Sequence, residues 1–135
     1  MKTVILPAEY KSLEKISKFV VHAAREAGFN NQKVYEVELA VDEACCNIID
    51  HAYGGEGRGD MRCSVEVGEG KLKVTLEDQG RPFDPTLVPE PLVNVPLSRL
   101  RKRGAGVFLM RKVMDELHYE SSPENGNVLV LVKRK

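Results

Sequence analysis

The pattern of apolar and polar positions divides the chain into alternating helical and extended segments. Thr3 to Leu6 reads as a short first strand stopped by Pro7. From about Glu9 to Glu26, Leu13, Ile16, Phe19, Val20, Ala23 and Ala24 recur at three- and four-residue spacing, which predicts an amphipathic helix ended by Gly28. Asn30 or Asn31 can cap a second helix that runs to about Tyr53. Its apolar face carries Val37, Val41, Ala44, Cys45, Ile48 and Ala52, and a glycine-rich loop follows. Two alternating strands come next, with Cys63, Val65 and Val67 on one face of the first and Leu72, Val74 and Leu76 on one face of the second. Gly68-Glu69-Gly70 joins them as a hairpin. Gly104 to Leu117 is predicted as a third amphipathic helix, and a last hairpin pairs about Leu117 to Ser122 with Val128 to Lys133. These elements predict an α+β two-layer sandwich, a mixed, mainly antiparallel sheet covered on one face by three helices.

Composition narrows the class. A chain of 135 residues suits one domain with one core, and 42% hydrophobic with 30% charged residues is ordinary for a globular protein. Lys plus Arg and Asp plus Glu balance at 20 each, which argues against bulk attraction to nucleic acid or acidic lipid. No apolar run approaches the roughly 20 residues of a membrane span. The opening Met1 to Pro7 lacks a signal-peptide pattern, so a cytoplasmic protein with no membrane partner is expected. Cys45, Cys46 and Cys63 have neither disulfide-framework nor metal-ligand spacing and read as core or near-core residues.

Three places carry candidate chemistry. On the second helix, Glu43, Asn47 and His51 lie at i, i+4 and i+8 along one border of the apolar face. They form either a solvated flank or a site for a divalent ion and a nucleophile. Strand alternation puts Asp78 on the same face as Leu72, Val74 and Leu76. A carboxylate there either caps its own Gln79-Gly80 turn or accepts a hydrogen bond from a buried heterocycle, with Gly80 permitting close approach. Finally, Gly104-Ala105-Gly106 opens a helix directly after Arg99, Arg101, Lys102 and Arg103. That is either a solvated basic patch or an anion site built on a helix N-terminus. Between Gly80 and Gly104 lie five of the seven prolines, a stretch that reads as a lid or as a disordered insertion.

Taken in order, these stretches resemble the Bergerat-fold (GHKL) ATPases. Val41 to Tyr53, VDEACCNIIDHAY, resembles the N box, E-x-x-x-N followed by H-[AG]-Y. Glu77 to Pro85, EDQGRPFDP, resembles the first glycine box, and Arg103 to Met110, RGAGVFLM, the second. The H-[AG]-Y ending, the D-x-G-x-P-F-D-P form and the final Gly126 to Lys133 strand are similar to the stand-alone bacterial anti-sigma-factor serine/threonine kinases. Pro82 replaces the second glycine of the histidine-kinase D-x-G-x-G, and no phosphorylatable helical hairpin precedes the domain, so a complete histidine kinase is not expected.

The resemblance implies one domain over residues 1–135 with an ATP lid at about 83–103. It implies that Glu43 is the general base, that Asn47 binds Mg²⁺, and that Asp78 accepts from the adenine amino group beside Gly80. His51, Phe83 and Val107 would also border the nucleotide, and Gly104, Ala105 and Gly106 would present N–H groups to the phosphates. A lid cation, Arg103 first and Arg101 second, would stabilise the transferring phosphoryl group. The implied partners are a STAS-type anti-anti-sigma protein and a sigma factor, with a homodimer and no nucleic acid. A non-catalytic, nucleotide-dependent clamp that sequesters a sigma factor or another regulator is the alternative.

Overall fold

The computed structural model describes residues 1–87 and 105–135. Five strands, β1 (Lys2–Pro7), β2 (Asp60–Gly68), β3 (Lys71–Asp78), β4 (Glu116–Ser122) and β5 (Gly126–Arg134), form one sheet in the order β1-β2-β3-β5-β4. Three helices, α1 (Leu13–Glu26), α2 (Asn31–Asn47) and α3 (Ala105–Val113), form the second layer, with α2 packed between the other two. The α+β sandwich read from the sequence is therefore present. All four ladders are antiparallel, however, so the sheet is not mixed. The chain does cross back through α3, but β5 inserts between β3 and β4 and separates the two strands that run in the same direction.

Local chemistry fixes the element ends. Gly28, at φ 85°, lets the Phe29 N–H reach the Ala24 carbonyl and its own N–H reach Arg25, which closes α1 with a paired C-terminal motif. Asn30 caps α2 by accepting from the Lys33 N–H at 2.9 Å. Between β2 and β3, Glu69 and Gly70 both have positive φ, 49° and 74°, the twist that a two-residue hairpin turn requires.

Three boundaries depart from expectation. The second helix does not run evenly to Tyr53: after Asn47 it widens into a π turn over Ile48–Ala52, closed by the Tyr53 N–H on the Ile48 carbonyl. The third helix stops at Val113 rather than Leu117, because the Asp115 N–H is captured by the Val132 carbonyl and the chain joins the sheet. Val67 is 52% exposed, because the β1–β2 ladder ends at Lys2 opposite Val65 and Val67 projects beyond it.

The core lies between the layers. Ile16 and Val20 of α1, Val37 and Val41 of α2 and Met110 of α3 meet Met61, Leu72, Val74, Leu76 and Leu131 of the sheet, and all are buried. Lys133 is also buried. It pairs with Glu36 of α2 at 3.0 Å and donates to the Val113 carbonyl at the end of α3, joining three elements at one ammonium. The interior and the caps differ in energetic weight. Leu131→Ala is expected to lower unfolding free energy by about 3 kcal/mol through loss of buried volume. Asn30→Ala is expected to cost only about 1 kcal/mol through loss of the cap. Urea unfolding of the two variants checks both the sizes and their order.

Candidate functional site

The site is built where the ends of β3, β5 and α2 converge. Alternation along β3 carries Asp78 to the inner face, where it is 6% exposed and pairs in register with Asn127 of β5. A buried carboxylate needs donors. The Asn127 amide donates to Asp78 Oδ1 at 2.8 Å, and the Gly80 N–H donates to the same oxygen at 2.9 Å. Both bonds fall on Oδ1, and among the described residues no donor is seen on Oδ2. Asn127 Nδ2 also reaches the carbonyls of Gly80 and Arg81, at 2.8 and 3.2 Å, and its Oδ1 accepts from the Ser121 hydroxyl.

The turn after Asp78 is sewn to the end of the second helix. A Cβ on Gly80 would stand 2.5 Å from the Ala52 carbonyl carbon and oxygen, so this position must be glycine for the two backbones to meet. The close neighbour of Gly80 is therefore the helix end itself. Arg81 then donates from its backbone to the Ala52 carbonyl and from Nε to the His51 carbonyl, at 2.9 and 3.0 Å. The Tyr53 hydroxyl bridges the strands by donating to the Asp60 carbonyl and accepting from the Gln79 N–H.

Asn47 faces Asp78 across a small cavity of about 20 Å³, whose other walls include Phe83, Tyr119 and Leu129. Its Nδ2 is buried and has no hydrogen-bond partner among the described residues. An orphaned amide costs on the order of 1–3 kcal/mol, so this position does not serve stability. Glu43 sits one turn earlier on α2 and is half-buried. The cavity is far smaller than the few hundred Å³ of a typical small-molecule pocket. Phe83 closes it: its ring stacks on His51 with centroids 4.5 Å apart and planes 15° apart, and its N–H donates to the Tyr119 hydroxyl.

Asn47, Asp78 and Phe83 thus share one cavity, while Gly80 and His51 border it through the turn and the ring stack. The π turn carries His51 out of line with Glu43 and Asn47, to an exposed position. Val107 is buried and Ala105 and Gly106 open α3, whereas Arg101, Arg103 and Gly104 lie outside the described residues. Cys45 and Cys63 are buried in the core, where burial pushes both thiols up, Cys63 to about 12, and keeps them neutral. Sequence reasoning missed Asn127, Tyr53 and Tyr119. For Asn127 a signal existed: it shares the parity of Leu129 and Leu131, so a polar residue had to face inward there.

Burial raises the Asp78 carboxyl above its ordinary range, and the bonds from Asn127 and Gly80 oppose that rise. The native state then binds the Asp78 proton more tightly than the unfolded chain does. Stability from this group is full at low pH and is lost as pH rises through the native value. Asp78→Asn keeps the acceptor for Asn127 and Gly80 but removes the buried charge. It should therefore raise the thermal midpoint at pH 7, with the gain shrinking as pH falls through the raised native value and gone once pH is below the ordinary carboxylate range. Calorimetry of both proteins at pH 7 and near pH 3.5 tests this, and a lower midpoint for the variant at pH 7 would contradict it.

Comparison with known proteins agrees with this fold. The family profile described as histidine kinase-like ATPase domain matches residues 6–133. The serine-protein kinase RsbW of Halalkalibacterium halodurans is 31% identical over 132 residues, which cover 95% of this chain and 79% of that protein. The serine-protein kinase RsbW of Listeria innocua is 32% identical over 126 residues, 87% of this chain and 79% of its own. Among solved structures, the RsbU and RsbW domains of Rv1364c from Mycobacterium tuberculosis superpose with a TM-score of 0.64 at 12% identity, over 99% of this chain and 32% of that one. The catalytic domain of the histidine kinase ThkA superposes at 0.56 with 15% identity, over 100% and 98% of the two chains. At such identities the superpositions speak for the fold alone. The sequence relatives and the family match go further: the chain belongs to the histidine kinase-like (Bergerat, or GHKL) ATPase family and is similar within it to the serine-protein kinases RsbW.

Proposed function

We propose that this protein is an ATP-dependent serine/threonine kinase that phosphorylates a small STAS-type anti-anti-sigma partner and thereby controls a sigma factor by partner switching. The observation that carries the reading is the orphaned Asn47 amide beside a cavity that Asp78 also lines, with both hydrogen bonds to that carboxylate falling on Oδ1. A purine amino group supplies a further donor to Asp78. Turning the Asn47 amide over presents its oxygen to a cation, and Mg²⁺ bound through one such ligand and phosphate oxygens is common. The residues present therefore fit Mg·ATP.

In this reading Asp78, held by Asn127 and the Gly80 N–H, orients the base by accepting its amino proton. Phe83 and Tyr119 close over the base and exclude water. Asn47 fixes the metal, which when bound neutralises phosphate charge. Glu43, one helical turn before Asn47, takes the proton from the attacking serine or threonine hydroxyl at its carboxylate oxygen. The N–H groups of Gly104, Ala105 and Gly106 and a lid cation, Arg103 before Arg101, hold the phosphates. The reading carries with it a cytoplasmic homodimer with a lid at about 83–103 and no nucleic-acid or membrane partner.

Two variants test the roles separately. Glu43→Ala should retain nucleotide affinity by calorimetry yet lose transfer to a STAS-type partner by 10²-fold or more, a size typical of a lost general base. Asn47→Ala should remove the Mg²⁺-dependent part of nucleotide affinity. Wild-type rates of transfer from Glu43→Ala would remove it from the mechanism. Capture of a sigma factor without any transfer by the wild type would favour the clamp.

A further inference from the structure

A second concave surface lies at the opposite end of the molecule. Between α1 and the first two strands runs an open groove of about 800 Å³. Its floor is apolar, formed by Val4 of β1, Phe19 and Ala23 of α1 and Val65 and Val67 of β2. The exposure of Val67 belongs to this floor. The walls are basic: Lys15 and Lys18 stand on the α1 side and Lys2 on the β1 side, against one acid, Glu26. Glu26 is already shared between Lys2 at 4.0 Å and His22 at 3.0 Å, and Lys18 pairs only with the exposed Glu14. Lys15 forms no ion pair with any described residue.

The shape selects among occupants. The lining residues of α1 extend from Lys15 to Ala27, about 18 Å at the helical rise, or three turns. An apolar trough of that length, whose lining carries Lys2, Lys15 and Lys18 against the single acid Glu26, with the excess positive charge on the α1 side, matches an amphipathic helix whose apolar stripe is flanked by acidic residues. An extended strand would send alternate side chains away from one of the two walls. The groove is also remote from the catalytic cavity. Lys71 and Asp78 mark opposite ends of β3, about 23 Å apart at 3.3 Å per residue, and Val67 lies beside the Lys71 end.

We propose that this groove docks an acidic amphipathic helix of about three turns from a partner protein. Recognition comes from the floor residues Phe19 and Val4 and from the lysine walls, and it is independent of the nucleotide site. The charge on the walls supplies selectivity and the floor supplies affinity.

The probe is a fluorescein-labelled 14-residue peptide with leucines at i, i+3, i+4, i+7 and i+11 and glutamates on the flanks. Fluorescence anisotropy with the full chain should report saturable binding. Affinity should weaken at least tenfold for the double variant Lys15→Glu/Lys18→Glu and at least tenfold when lysines replace the flanking glutamates of the peptide. Both variant positions are exposed and outside the nucleotide machinery, so ATP affinity of the double variant should match wild type and serve as the folding control. The proposal is overturned by any of three results. These are no binding up to millimolar peptide, equal affinity for acidic and basic peptides, or a double variant whose dimer dissociates in sedimentation, which would assign the groove to a second copy of the chain.

Discussion

The amide of Asn127 is the contact on which the working end of this fold depends. A carboxylate on the inner face of a sheet is unstable without donors, and Asn127 supplies one from the neighbouring strand. The same amide group holds the carbonyls of Gly80 and Arg81. That fixes the path of the turn, and the turn in turn carries the end of α2 through Ala52 and His51. One side chain thereby sets the spacing between Asp78 on the sheet and Asn47 on the helix. Two residues 31 positions apart in sequence line one cavity, and a third, on the last strand, holds the carboxylate and the turn beside it.

Much of this was legible before the structure. Period-two alternation in β2 and β3, the cap at Asn30 and the Glu69-Gly70 turn follow from local rules, and local rules decided them. Asp78 was legible as an inward acid by parity alone. The position of β5 in the middle of the sheet was not, because two apolar antiparallel strands carry no local mark of which neighbour each will take. Nor was the π turn. The spacing of Ala44, Cys45, Ile48 and Ala52 fits an ordinary helix, and the widened turn is visible only in the structure, in the bond from the Tyr53 N–H to the Ile48 carbonyl and the complete burial of Ile49.

The two polar ends of the molecule use charge differently. At the cavity between Asn47 and Asp78, polar groups are buried and few, and an unmet bond is energetically expensive. At the α1 groove, charges are exposed and screened, so they contribute orientation and encounter more than affinity. Both lie on the helix-covered face of the sheet at opposite ends of β3, and the fully buried residues Leu72, Val74 and Leu76 fill the stretch between those ends.

The π turn has a consequence for how this chain can vary in length. Removing one residue between Asn47 and Tyr53 would restore regular helical bonding, but it would swing every following residue by about 100° around the helix axis. Ala52 would leave its seat against Gly80, and the Tyr53 hydroxyl would lose both Asp60 and Gln79. Adding a residue would do the same in the other sense. Substitutions in this segment are graded in effect, whereas a change in its length is all or none. The distance along the chain from Asn47 to Tyr53 thus behaves as a fixed ruler, in contrast to the glycine-rich loop that follows it.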